Sequence, residues 1–425
     1  MEPGMPEYRQ RVVDRELDEL LFGLPAVAMV GAKGVGKTET ASRRVKTVHA
    51  MDDPAQRQRA LADPQRLLDS PPVLIDEWQY VPEAWDLVRR KVDAGAGPGD
   101  YLLAGSASPA GLGTHSGAGR IVDVRMRPLS LAERDGGATV SLRHLLDGAR
   151  GPVDGRTALR LDRYVAEIVR SGFPGLRDLP ERALRAQLDS YLQRVVDRDF
   201  PELGHSLRNP AALRRWMTAY AAASSTTASF EKIRDAATGG QGEKPARTAT
   251  QPYRDVLERL WLLDPVPAWA PTRSRIRRLA MPPKHQLADP ALAARLLGVG
   301  AETLLRGEGP AVVGADGVLL GNLFESLVTL SVRVYAQAAE ARVFHLRTSA
   351  GEHEIDLIVE RADGRVLALE VKLSRNVGDE DGRHLRWLAD RLGDDLLDRV
   401  LITTGPEAYR RKDGIAVVPA ALLGP

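Results

Sequence analysis

The chain has 425 residues, 43% hydrophobic and 27% charged, which is enough apolar material for two or three packed domains and excludes a chain disordered throughout. Its 59 basic and 57 acidic residues leave a formal charge of +2, so any nucleic-acid binding has to use a local patch and not bulk charge. There is no cysteine, which excludes disulfides and thiolate metal sites and is compatible with a reducing compartment.

The N-terminal stretch MEPGMPEYRQRVVDRELDELLFG is charged and lacks the apolar core of a secretion signal. No later stretch reads as the roughly 20 apolar residues of a membrane span, so a cytoplasmic chain without a membrane partner is expected. Between Arg9 and Leu21 the apolar positions Val12, Val13, Leu17, Leu20 and Leu21 recur at helical spacing, and Pro25 separates them from the strand-like run Ala26 to Val30.

That strand runs into GAKGVGKT, which is Gly31, Ala32, Lys33, Gly34, Val35, Gly36, Lys37 and Thr38, the G-x-x-x-x-G-K-[ST] spacing of a phosphate-binding loop. The glycines let backbone N–H groups and the start of the following helix face the phosphates of ATP. Lys37 is placed to reach the β- and γ-phosphates, and Thr38 to offer its hydroxyl to Mg²⁺. A second apolar run, Val73 to Ile75, ends in Asp76 and Glu77. After a phosphate loop this pair reads as one carboxylate for the Mg²⁺ shell and one to orient the attacking water, the arrangement of a hydrolase. The run Tyr101 to Ala104 ends in Gly105, Ser106, Ala107 and Ser108; Ser106 is the preferred γ-phosphate sensor, with a plain loop serine as the alternative. Arg120 is a candidate arginine finger acting in trans in a homo-oligomer or across domains, or else a surface arginine. Buried strands alternating with helical segments make this part α/β with a parallel sheet.

The Gly/Pro-rich Gly148 to Arg156 reads as a linker closing a domain over 1–150. A helical region over 151–205 follows. Helical stretches between Leu213 and Asp264, broken by Thr238 to Ala246, fit a winged-helix module over 206–290. Just after those helices, Arg273, Arg275, Arg277, Arg278, Lys284 and His285 form a basic run, read either as a wing on DNA phosphates or as a solvated face.

From 291 to 425 a helix, three strands, a helix and a further strand predict a separate α/β domain. Glu325 falls on its first helix, Asp356 in the strand HEIDLIVE, and Glu370 and Lys372 two apart on the strand VLALEVKL, hence on one face. Charges alternating with buried apolar residues need partners or a metal. Three carboxylates can cage Mg²⁺ or Mn²⁺ for phosphodiester cleavage, with Lys372 positioning water; the alternative is an ordinary strand with a surface salt bridge.

With these residues in view, the chain resembles a prokaryotic family of AAA+-like P-loop ATPases that carry a C-terminal domain of unknown function with a restriction-endonuclease-like, PD-(D/E)XK core. The resemblance rests on GAKGVGKT, VLIDEWQ, LLAGSAS, RPLSLAE, SGFPG, YLQRVVDRD, KHQLADPALAARLLG, GNLFESLV, EIDLIV and LEVKLS, in that order along most of the chain. It implies an ATPase domain, a winged-helix middle and a nuclease-like end, with Glu325, Asp356, Glu370 and Lys372 at the metal and catalytic positions. The expected function is ATP hydrolysis, directed at DNA, with a metal-dependent nuclease domain. The alternative is a nucleotide-dependent switch or signalling ATPase whose C-terminal domain only binds a partner or DNA.

Overall fold

The three apolar runs of the N-terminal part become the interior strands of a sheet because each is apolar on both faces. In the computed structural model, which describes residues 8–106, 117–135, 137–204, 209–238, 247–270, 281–307, 317–348 and 351–425, β1 (Ala26–Val30), β3 (Val73–Asp76) and β4 (Tyr101–Gly105) are buried along their whole length. The edge strands β2 (Thr47–Ala50) and β5 (Val122–Arg125) are the more exposed ones. All pairings are parallel, in the order β2-β3-β4-β1-β5. The helix expected over Arg9 to Leu21 spans Val13–Gly23, and Leu17 is its buried anchor. One face of the sheet packs on Met51, Leu67, Trp78, Trp85 and Val88.

The chain forms two compact units, Met1–Arg127 with Arg259–Trp261, and Pro128–Glu258 with Leu262–Pro425. In the second, the helices Leu161–Val169, Pro290–Leu296 and Val318–Ala338 pack on one another. The last also lies against β7 (Arg342–Arg347) and β8 (Glu354–Glu360). Two of its side chains cap the short helix Leu131–Asp135: the Leu131 N–H donates to Ser331 Oγ (3.1 Å) and the Ala132 N–H to Tyr335 Oη (2.9 Å). Val318–Ala338 corrects the expectation that no stretch is long and apolar enough to cross a membrane. It meets that test by length and composition, and 72% of its most apolar window is buried within the unit. A helix apolar all round is what a core position of this kind selects.

The C-terminal sheet continues with β9 (Val366–Val371), β10 (Leu396–Thr403), β11 (Tyr409–Arg410) and β12 (Ala416–Pro419). Its order is β11-β12-β10-β9-β8-β7; β7, β8 and β9 are antiparallel neighbours, while β9 and β12 run parallel to β10. The amphipathic helix Arg383–Leu392 covers one face through Leu385 and Leu388. Near the chain end β13 (Leu423–Gly424) pairs in parallel with β6 (Val140–Ser141), tying the first residues of this unit to its last.

The three middle helices are Pro210–Ala222, Phe230–Ala236 and Arg247–Arg259. Beyond them Leu263 bridges Leu287 and Val266 bridges Lys284, both antiparallel, and Ala268 pairs with His345 at the otherwise free edge of β7. Arg273, Arg275, Arg277 and Arg278 lie outside the described residues. Lys284 and His285 do not belong to a solvated basic face: they are 1% and 0% exposed. The His285 ring is packed against Tyr220 and Phe230, with Nε2 2.7 Å from the Ala228 carbonyl.

Glu167 holds two arginines away from water. Arg177 grips it with both guanidinium nitrogens (2.8 and 3.1 Å), and Arg134 adds a third contact at 3.2 Å. All three side chains are at most 7% exposed. Removing the anion strands two buried cations, so Glu167→Ala should destabilise the second unit by about 3–5 kcal/mol, read from the urea midpoint of that unit's transition. An unchanged midpoint would show that water reaches the pair.

Candidate functional site

The loop Gly31 to Gly36 is shaped by positions that only glycine suits. A Cβ on Gly31 would lie 2.2 Å from the Met126 carbonyl oxygen, and Gly36, preceding the helix Lys37–Ser42, has φ 100°. Ala32 and Val35 are buried beneath the loop, Lys33 is partly exposed, and Gly34 is at its open side. Lys37 is 5% exposed, and its ammonium donates to the carbonyls of Gly31 (2.8 Å) and Ala32 (3.0 Å) and to Ser106 Oγ (3.1 Å). Burial pulls Lys37 down to about 8, against the attraction of Glu77 and Asp76. A phosphate arriving at the loop supplies the missing counter-charge.

Thr38 Oγ1 donates to Asp76 Oδ2 at 2.8 Å, while Asp76 Oδ1 is buried and has no hydrogen-bond partner. A hydroxyl and an unsatisfied carboxylate oxygen side by side are the donors Mg²⁺ takes alongside nucleotide phosphates, so Thr38 and Asp76 fit that ion. Burial, reinforced by Glu77, pushes the Asp76 carboxyl up to about 6, although Thr38 opposes the shift. The neighbouring Glu77 sits at φ 50°, a conformation that side-chain-bearing residues rarely adopt. Its Oε1 accepts from Ser106 Oγ (2.9 Å) and its Oε2 from the Gln79 amide. The ends of β1, β3 and β4 thus bring Lys37, Ser106 and Glu77 into one hydrogen-bonded chain. Arg120 is elsewhere engaged: its Nε donates to Asp93 Oδ1 at 2.8 Å on an exposed surface.

Sequence reasoning missed three contributors here. Arg11, 5% exposed, donates to the carbonyls of Val35 and Arg127 (both 2.7 Å) and braces the loop from outside the motif. Gln79 completes the grip on Glu77. Arg125 stands close enough to depress Lys37 and is stacked on Trp261, 3.8 Å from the ring centre. Of these, only Gln79 carried a local signal, two residues beyond an acidic pair.

The C-terminal cluster has a different character. Glu325 from the helix Val318–Ala338 and Asp356 from β8 do come together, but around Lys284, whose Nζ is 2.8 Å from Glu325 Oε1, 3.0 Å from Asp356 Oδ1 and 3.4 Å from Glu354 Oε1. The other Asp356 oxygen accepts the Val371 N–H (2.9 Å). Glu370 is buried, bound by Lys372 Nζ at 3.2 Å through Oε2, and its Oε1 has no hydrogen-bond partner. Burial opposes the charge on Lys284, but Asp356, Glu325 and Glu354 outweigh it and hold the ammonium protonated far above its ordinary range. Burial would raise Asp356, yet Lys284 and the Val371 N–H hold it below the usual carboxylate range. Burial and the Asp356 charge push Glu325 up to about 8, and the same two causes raise Glu370 well above its ordinary value. Burial lowers Lys372 less than Glu370 and Asp356 raise it.

Where Mg²⁺ or Mn²⁺ was expected among Glu325, Asp356 and Glu370, the structure places the Lys284 ammonium between Glu325 and Asp356. Among the described residues no group of three or more His, Asp or Glu side chains is placed to hold a metal ion. The Lys284 ammonium already bonds one oxygen of Glu325 and one of Asp356.

Residues 24–134 match a family model described as an AAA domain. This segment is an α/β P-loop nucleotide-binding domain. Residues 161–303 and 320–423 match two further families, each described only as a domain of unknown function (DUF8612 and DUF4143). Uncharacterized proteins of Mycobacterium bovis and Mycobacterium tuberculosis are each 27% identical over 415 residues, covering 95% of this chain and 82% of theirs. A solved Walker-type ATPase of Pyrococcus abyssi aligns with 67% of this chain and 94% of its own at 15% identity and a TM-score of 0.39.

The raised Asp76 carboxyl gives a sign that can be checked. Its folded pKa, about 6, lies above the ordinary 3.8, so the folded state binds the proton more tightly and stability is lost as pH rises from 3.8 through 6. Asp76→Asn should therefore stabilise the nucleotide-free protein at pH 7 by on the order of 2 kcal/mol, with no gain at pH 4, while removing Mg²⁺-dependent nucleotide binding. Thermal denaturation at the two pH values reads the first effect. A loss of stability at pH 7 would mean that the carboxylate has a partner in solution.

Proposed function

We propose that this chain is an ATP-hydrolysing switch directed at DNA, organised as a nucleotide domain over 1–150, a helical region over 151–205, a winged-helix module over 206–290 and a restriction-endonuclease-like domain over 291–425. The observation that carries the ATPase reading is the chain Lys37–Ser106–Glu77 beside the Thr38–Asp76 pair. Lys37 binds the β- and γ-phosphates once they displace its contacts to the loop carbonyls. Ser106, between Lys37 and Glu77, senses the γ-phosphate. Glu77 orients water for in-line attack, and Thr38 with Asp76 holds the Mg²⁺ that neutralises charge on the phosphates. Arg120 is the arginine offered to a neighbouring copy in a homo-oligomer; its exposed pair with Asp93 is of a kind that is cheap to give up.

The DNA reading is supported by three helices followed in sequence by the basic run Arg273, Arg275, Arg277 and Arg278. The strand order of the C-terminal sheet and the meeting of Glu325 with Asp356 support the endonuclease-like reading. Lys284 in that meeting favours a domain that grips DNA or a protein partner over one that cuts.

Two experiments test this. Lys37→Ala should lose ATP binding, whereas Glu77→Gln should bind ATP normally and hydrolyse it on the order of 10²-fold more slowly, measured by nucleotide titration and phosphate release. Hydrolysis at the wild-type rate in both variants would overturn the ATPase assignment. For DNA, replacing the four arginines between 273 and 278 with alanine should weaken binding across sequences and reduce the slope of log K against log salt by about 1 for each arginine. An unchanged slope would remove the patch from the interface.

A further inference from the structure

Lys284 is a long, strongly hydrated side chain that folding places out of water at 1% exposure, between a core helix and a central hairpin. A lone buried ammonium is among the most unfavourable groups a fold can hold, and it survives only where carboxylates neutralise it and accept its hydrogens. That requirement is met by residues 41 and 72 positions away: Glu325 Oε1 at 2.8 Å and Asp356 Oδ1 at 3.0 Å are hydrogen-bond distances, and Glu354 Oε1 at 3.4 Å adds attraction.

The backbone around Lys284 is fixed as firmly as its head group. Its N–H donates to the Val266 carbonyl and its own carbonyl accepts from the Val266 N–H, both at 2.9 Å. Three residues along from Val266, the Trp269 N–H donates to His345 on β7 at 2.6 Å, and the His345 N–H donates back to Pro267 at 3.0 Å. The side chain is delivered to the carboxylates by a backbone held in an antiparallel bridge to Val266.

A divalent ion at this place would need the Glu325 and Asp356 oxygens at about 2.0–2.1 Å for Mg²⁺, and it cannot share them with an ammonium that is itself within hydrogen-bond reach of both. We propose that Lys284 is the resident cation of the C-terminal carboxylate cluster and that its ammonium excludes divalent metal from Glu325 and Asp356 in the folded protein. The proposal goes beyond the ATPase reading and does not depend on it, because no residue of the nucleotide site takes part. It assigns Lys284 a positioning role: it neutralises and orients the carboxylates, and Lys372 does the same for Glu370.

The test uses the full chain without nucleotide. Lysines are labelled by reductive methylation in EDTA and in millimolar Mn²⁺ and located by mass spectrometry, with exposed Lys91 and Lys412 as internal controls. Lys284 is expected to resist labelling in both conditions and to react only after unfolding. In parallel, Mn²⁺ binding is followed by electron paramagnetic resonance. Wild type and Asp356→Asn should bind alike, and Lys284→Met should gain an additional Mn²⁺ that Lys284→Met/Asp356→Asn does not take up.

Exposure of Lys284 to the label by Mn²⁺ would overturn the proposal, as would wild-type Mn²⁺ binding that disappears in Asp356→Asn. A Lys284→Met chain with wild-type near-ultraviolet circular dichroism and no added Mn²⁺ would likewise overturn the claim that the ammonium stands where a divalent ion would. If that variant does not fold, the labelling experiment on wild type decides alone. ATP hydrolysis by wild type and Lys284→Met, run alongside, separates failure here from failure of the ATPase reading.

Discussion

A positive charge taken out of water has to be neutralised from inside the fold, and this chain solves that problem in two opposite ways. Lys37 is buried against the carbonyls of its own loop, with Asp76 and Glu77 near enough to attract it but not to pair with it. Its hold on the proton falls to about 8, so the folded protein keeps a deficit of negative charge at the end of β1. Lys284, buried to the same degree, is given carboxylate oxygens at bonding distance, and its hold on the proton rises. One lysine is left under-neutralised and therefore suits an anionic ligand. The other is saturated by the protein itself. A buried lysine alone does not distinguish a binding site from a structural pair; the distance to the nearest carboxylate does.

The same balance runs through the rest of the nucleotide site. Asp76 keeps one buried oxygen without a partner, and Glu77 is held at a strained backbone angle by Ser106 and Gln79. Each of these features costs stability in the nucleotide-free protein, and in the proposed function the buried Asp76 oxygen is the one a divalent ion would satisfy. The Glu167 cluster, by contrast, gives each of its two buried arginines a contact to a carboxylate oxygen at 3.2 Å or less.

How much of this was legible in the sequence follows from the range over which each feature is encoded. The strands Ala26–Val30, Val73–Asp76 and Tyr101–Gly105 are written in contiguous apolar runs, and the loop between Gly31 and Thr38 in fixed spacing, so both could be read locally. The strands of the C-terminal domain and the meeting of Glu325 with Asp356 were also foreseeable, since a charge flanked by apolar neighbours has to find company. What was not legible was the identity of that company. Lys284 lies 41 and 72 residues from its partners and follows a run of arginines, so its local context argued for solvent. Arg11 was hidden for the same reason, 24 residues from Val35 and 116 from Arg127. The core helix Val318–Ala338 was under-read because Glu325, Arg333 and the polar residues Asn322, Ser326, Thr329, Ser331 and Gln337 interrupt its apolar run.

The way Lys284 is held decides whether it acts as a gate or as a fixture. A gating lysine would sit on a loop whose movement breaks few other bonds. Here both backbone groups of Lys284 are bonded to Val266, and the segment after Val266 closes the edge of β7 through Trp269, Pro267 and His345. Withdrawing the ammonium would mean peeling this segment from the sheet, exposing the edge of β7 and leaving Glu325 and Asp356 facing each other without a cation. Each of those losses is unfavourable, and they would have to be met together. Edge pairing and charge pairing therefore reinforce one another, which makes Lys284 a permanent counter-ion of the folded domain and the carboxylates around it part of the framework.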